Sequence, residues 1–171
     1  MPAATFDTIA TEPLVSAEEI AQFHDNGYLV KRGFYDLATE IEPIQHGLPI
    51  KQQPFSPETF DSGYADLIAA NRRYGGELYD AVKQIPAFVR LVGSPKHEAL
   101  LCELRDTDLP GCCGGGYGIR IDNPNEEKFR APWHQDYPAQ FRSIDGLVFW
   151  SPLLRLTQAM GPVEVCVGSH R

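Results

Sequence analysis

A glycine-rich run at residues 111–118 divides the sequence into two parts with different local patterns. Before it, apolar residues recur at helical spacing and several segments begin with helix-capping residues. After it, short apolar runs alternate with Gly, Pro and Asn, which is typical of strands joined by turns. The sequence therefore predicts one α+β domain of 171 residues, mainly helical over residues 1–108 and β over residues 109–171.

The helical part carries clear signals for where helices begin. Ser16 and Glu19 have the spacing of a capping box, in which each side chain bonds to the other residue's backbone N–H. Ser56 and Ser94 each precede a proline, and proline is favoured in the first turn of a helix. Gly27 predicts the end of the first helix, because glycine readily adopts the left-handed conformation that terminates helices.

Five short segments are predicted as strands. They are residues 28–30, residues 117–121, the segment around His134, residues 147–153 and residues 163–167. Strands of this length and spacing favour an antiparallel sandwich or barrel.

Charge and hydropathy exclude two classes of protein. The formal net charge is -8, whereas a nucleic-acid surface needs clustered Lys and Arg. No apolar run approaches the roughly 20 residues that span a bilayer, and the first residues lack the pattern of a secretory signal. We therefore expect a soluble cytoplasmic protein that binds neither nucleic acid nor membrane.

The triplet His134-Gln135-Asp136 is the main candidate for chemistry. In a strand, side chains two residues apart share a face, so the imidazole of His134 and the carboxylate of Asp136 are predicted to point the same way. Together they supply two of the three ligands of the 2-His-1-carboxylate arrangement that holds non-haem Fe(II). A bare His-x-Asp also arises by chance, as a core histidine beside a solvated carboxylate.

The surroundings of the triplet resemble the phytanoyl-CoA dioxygenase family of Fe(II)- and 2-oxoglutarate-dependent oxygenases. The similarity is strong over residues 16–31 and 131–171 and weak between them. It rests on Trp133 to Tyr137, on Phe149-Trp150-Ser151-Pro152-Leu153, on Gly161-Pro162, and on Gly168-Ser169-His170-Arg171. Near the N-terminus it rests on Glu19 to Phe23 and Gly27 to Val30, which resemble the family's opening helix and strand. The resemblance implies a helical N-terminal half packed on a double-stranded β-helix, or jelly roll. It also implies hydroxylation of a small organic substrate with O2 and 2-oxoglutarate.

The resemblance assigns His134 and Asp136 as iron ligands and catalytic residues. An aspartate at that position favours hydroxylation over halogenation, since related halogenases have a small residue there. Gln135 and Trp150 match positions near the metal and cosubstrate, with ordinary packing as the alternative. Arg120 is a weaker cosubstrate candidate, because an arginine more often faces solvent.

Three aromatic residues are candidates for a substrate pocket, although aromatics near a core more often belong to the core. They are Tyr117, Tyr137 and Phe141.

The family's second histidine ligand and its 2-oxoglutarate-binding arginine fall beyond Arg171. His170 is a poor substitute, because its motif matches an earlier turn where the family's histidine does not bind iron. We therefore expect a C-terminally truncated chain whose own activity is uncertain. Two rival functions stay open: a non-catalytic ligand- or partner-binding fragment of the same fold, and a cupin-like metal enzyme that uses no 2-oxoglutarate.

Overall fold

The computed structural model describes residues 12–48, 55–108, 110–123, 130–137 and 143–171. The first helix, α1, spans Ala17–Asn26. Ser16 and Glu19 form the predicted capping box, and the C-cap Gly27 has a φ of 81°. These local signals therefore placed both ends of α1 correctly.

Two of the later helices begin at the predicted start signals Ser56 and Ser94. A π-helical turn at Leu37–Ile41 leads into α2, Glu42–His46. Helix α3 spans Pro57–Ala70 with Ser56 as its N-cap, and α4 spans Arg73–Ala81. A 3-10 turn at Val82–Gln84 precedes α5, Pro86–Val92, and α6 spans Pro95–Arg105 with Ser94 as its N-cap. A further 3-10 turn lies at Gln158–Met160.

The α+β prediction is wrong. The described residues contain helices and irregular segments but no β-strand and no sheet, so neither a jelly roll nor a double-stranded β-helix is seen in them. The predicted strands at residues 28–30, 117–121 and 147–153, around His134, and at residues 163–167 are all irregular. A strand requires a neighbour that completes its backbone hydrogen bonds, and alternating side chains do not supply one.

Side chains attach the irregular part to the helices instead. One apolar cluster is centred on Ile44 and Val82, which are fully buried, and it takes in Ile119 and Leu153 from beyond the glycine-rich run. A second cluster joins α1 to α6 through Phe23, Leu100 and Leu104, and Leu147 packs against it.

Residues 109–171 were predicted as the first part of a jelly-roll core. That prediction is wrong, because the described segments form no sheet; Ile119, Leu153 and Leu147 pack against the two clusters instead. Among the described residues, no helix combines the length and apolar character needed to cross a bilayer.

Candidate functional site

The side chains of His134 and Asp136 converge. Nε2 of His134 lies 3.3 Å from Oδ1 of Asp136. The segment is not a strand, and bends occur at Trp133 and Asp136. The predicted proximity is therefore observed, but local bends produce it rather than the alternation of a strand.

The orientation of the His134 ring follows from a contact with its own backbone. Its Nδ1 lies 2.7 Å from the carbonyl oxygen of Pro132. A carbonyl only accepts hydrogen bonds, so Nδ1 carries the proton and donates. In the neutral ring, Nε2 then has a lone pair directed toward the Asp136 carboxylate.

The lone pair of Nε2 and the carboxylate oxygen repel each other at this distance unless a positive charge lies between them. That charge is a proton, which makes an imidazolium–carboxylate ion pair, or a metal cation. The Nδ1–H to carbonyl bond is the contact that typically orients a metal-binding histidine. The side chains of His134 and Asp136 are 51% and 29% exposed, so an ion from solvent can reach them.

A third metal ligand is not found among the described residues, where no group of three His, Cys, Asp or Glu side chains has metal-binding geometry. The ring of His170 lies against the end of α1 instead. Its Nε2 lies 3.0 Å from the carbonyl oxygen of His24, and its Nδ1 faces Gly27 so closely that a Cβ there would lie 2.3 Å away.

The pair opens onto a broad depression of about 2310 Å³ between the helices and the irregular segments. Trp133, Trp150 and Tyr137 line it, and all three are exposed. Trp150 and Tyr137 therefore border the same depression as the pair, and their contacts with cosubstrate and substrate stay predictions.

The remaining predicted site residues are placed differently. Arg120 also lines the depression, but its Nε donates to both oxygens of Asp122 at 2.8 and 2.9 Å. Tyr117 packs edge-on against Phe88 of α5 and is not among the lining residues. Phe141 lies outside the described residues.

Gln135 also lines the depression, and its side chain reaches the C-terminal turn. Its Nε2 donates to the carbonyl oxygen of Ser169 at 2.7 Å. The amide therefore links two segments that are 34 positions apart in sequence.

An aromatic and charged cluster on the wall of the depression was not predicted. The hydroxyl of Tyr35 lies 2.7 Å from Nε2 of His97, whose ring stacks on Phe149 at 4.7 Å. Lys96 donates to Glu40 at 2.6 Å and lies 5.2 Å from the centre of the Phe34 ring. Its members come from three distant stretches, so no local pattern could have revealed it.

Burial shifts the titration of two groups in this cluster. It raises the pKa of Tyr35 to about 12, helped by the negative charge of Glu40. Burial also lowers the pKa of His97, against the opposite effect of the backbone carbonyls of Val92 and Leu91. Both groups therefore favour their neutral forms, and the Tyr35 hydroxyl can donate to the neutral imidazole.

Comparisons of this chain with protein-family models, with curated proteins and with solved structures found no match.

Proposed function

We propose that His134 and Asp136 bind one divalent metal ion, ferrous iron, in a 2-oxoglutarate-dependent dioxygenase that hydroxylates a small organic substrate. The observation that carries the proposal is the 3.3 Å separation of His134 Nε2 and Asp136 Oδ1. The other ring nitrogen, Nδ1, donates its hydrogen to the carbonyl of Pro132. The choice of iron and 2-oxoglutarate rests on the sequence resemblance.

The separation suits two ligands of one metal ion. With metal–ligand bonds of about 2.1 Å, neighbouring ligands stand about 3.0 Å apart in octahedral geometry and about 3.4 Å apart in tetrahedral geometry. The observed distance lies between these values. An imidazole nitrogen and a carboxylate oxygen are also a donor set that Fe(II) accepts.

The chain's own residues would bind and orient the reactants. The Pro132 carbonyl holds the His134 ring, and Asp136 supplies a negative charge that attracts a cation. Trp133, Trp150 and Tyr137 offer aromatic surface to an organic molecule in front of the pair. Ferrous iron, when bound, supplies the O2 activation that no side chain can provide.

Tryptophan fluorescence offers a direct test, because Trp133 and Trp150 are the two tryptophans of the chain and both line the depression. We expect anaerobic Fe(II) to quench this fluorescence in a saturable way. His134→Ala should abolish the saturable quenching, whereas His46→Ala, at an exposed site on α2, should not. Equal saturable quenching in both variants would contradict the proposed metal site.

Turnover separates the oxygenase from other metal-binding proteins. With 2-oxoglutarate and ascorbate, the protein loaded with Fe(II) should release one succinate and one CO2 for each O2 consumed, and His134→Ala should release none. Ascorbate supplies the two electrons that reduce the second oxygen atom to water when no organic substrate is present. Metal binding without succinate would leave the site in place but contradict the oxygenase.

A second candidate is binding of an organic ligand without catalysis. It is favoured by the exposure of Trp133 and Trp150, which are 70% and 50% exposed around the depression. In that case aromatic ligands should change the tryptophan fluorescence equally in the metal-free native protein and in His134→Ala. Ligand binding that requires Fe(II) would argue for the oxygenase.

A further inference from the structure

The C-terminal turn of the described chain lies on the end of α1. The backbone N–H of Gly168 donates to the carbonyl of Asn26 at 2.8 Å, and Nε2 of His170 donates to the carbonyl of His24. Arg171 donates to Asp25 at 2.9 Å. The last carbonyls of a helix lack partners within the helix and carry partial negative charge, so these donors stabilise its end.

Gly27 is required at this contact for two reasons. Its φ of 81° lies in the left-handed region that glycine adopts most easily. A Cβ on Gly27 would also lie 2.3 Å from Nδ1 and 2.7 Å from Cγ of His170. Any side chain would therefore displace His170, which belongs to the C-terminal turn.

Gln135 connects this turn to the metal pair, since it stands between His134 and Asp136 in sequence and donates to Ser169. The neighbouring side chains of Trp133 and Tyr137 are exposed, so apolar packing does little to hold this segment. The hydrogen bond to Ser169 therefore ties the backbone that carries both ligands to the C-terminal turn.

We propose that Gln135 is a positioning residue, and that it fixes the geometry of His134 and Asp136 by fastening their segment to the C-terminal turn on α1. The proposal rests on the proposed metal site. Mutating a residue that orients metal ligands without touching the metal commonly lowers metal affinity by about tenfold to a hundredfold.

Two variants remove the link at different points. Gln135→Met keeps the length of the side chain but removes the donor to Ser169. Gly27→Ala pushes the turn away through His170. Gly115→Ala is the matched control for the second variant, because Gly115 has a φ of 82° and no atom within 4 Å of the position of a Cβ.

The affinity for Co(II), titrated anaerobically, is the first measurement. Gln135→Met and Gly27→Ala should each bind Co(II) about tenfold or more weakly, and Gly115→Ala should match the native protein. The double variant Gln135→Met/Gly27→Ala should bind as weakly as Gln135→Met alone, since both changes break one connection. Fully additive losses, or an unchanged affinity in Gln135→Met, would overturn the proposal.

Hydrogen–deuterium exchange of residues 130–137 in the metal-free protein is the second measurement. Exchange should speed up in Gln135→Met and in Gly27→Ala but not in Gly115→Ala. This result does not depend on metal, so it distinguishes the two proposals. If the native protein binds no Co(II), the metal site fails; if exchange is unchanged in Gln135→Met, the positioning role fails.

Discussion

Nε2 of His134 and Oδ1 of Asp136 lie 3.3 Å apart, and the opposite ring nitrogen of His134 donates to the Pro132 carbonyl. The hydrogen bond fixes which nitrogen of the neutral imidazole has the free lone pair. When the ring is neutral, two acceptors face each other at the edge of an open depression, and either a proton on Nε2 or a metal cation removes their repulsion.

The core around α2 should be sensitive to the loss of volume at Ile44. This side chain is fully buried among residues from α3, α4 and the segment that contains Ile119. We expect Ile44→Ala to lower the free energy of unfolding by about 2–5 kcal/mol, because it removes buried apolar contacts and leaves a cavity. Ile44→Val should cost only about 0.5–1.5 kcal/mol. Urea unfolding measures both, and equal costs for the two variants would contradict this packing.

The side chain of Ser16 should contribute to stability by capping α1. Oγ of Ser16 accepts from the backbone N–H of Glu19. Ser16→Ala should lower the free energy of unfolding by about 0.5–2 kcal/mol. Ser62→Ala, at an exposed position inside α3, is the control and should have little effect. A loss at Ser62 as large as that at Ser16 would show that the cap has no special role.

His97 should make stability depend on pH. Burial lowers its pKa in the folded chain, so below about pH 6.5 the unfolded chain binds the extra proton more readily. The free energy of unfolding should therefore fall as pH drops from about 7.5 to about 5. Urea unfolding across this range measures the slope, and His97→Gln should reduce it.

The groups that face His97 set the size of this effect. Tyr35 contacts Nε2, Phe149 stacks on the ring, and Lys96 and Glu40 contribute opposite charges. His46→Gln, at an exposed position, is the control and should keep the native slope. An unchanged slope in His97→Gln would contradict the assignment to His97.

The helix starts could be predicted from sequence because capping is local. Ser16, Ser56 and Ser94 each accept from a backbone N–H three residues later, so the signal and its partner lie within one turn. The predicted strands are not found in the described residues. Local alternation was not enough to predict them, because a strand depends on a partner that is distant in sequence. Residues 163–167 alternate as a strand would, yet they are irregular and exposed in the structure.

The candidate site was predicted in part. The proximity of His134 and Asp136 was expected from strand geometry, but bends and the contact with Pro132 produce it. The bonds from Gln135 to Ser169 and between Tyr35 and His97 join residues 34 and 62 positions apart. Contacts of that kind depend on how distant segments pack, and neither hydrophobic period nor residue spacing encodes them.

Calorimetric titration with Fe(II) under anaerobic conditions tests the central claim most directly. The native chain should bind one ion, and Asp136→Asn should weaken binding about tenfold or more, because the neutral amide loses the charge that attracts the cation. Asp145→Asn, an exposed control, should bind like the native chain. If Asp136→Asn binds Fe(II) as tightly as the native chain, or if the native chain binds none, His134 and Asp136 do not form a metal site.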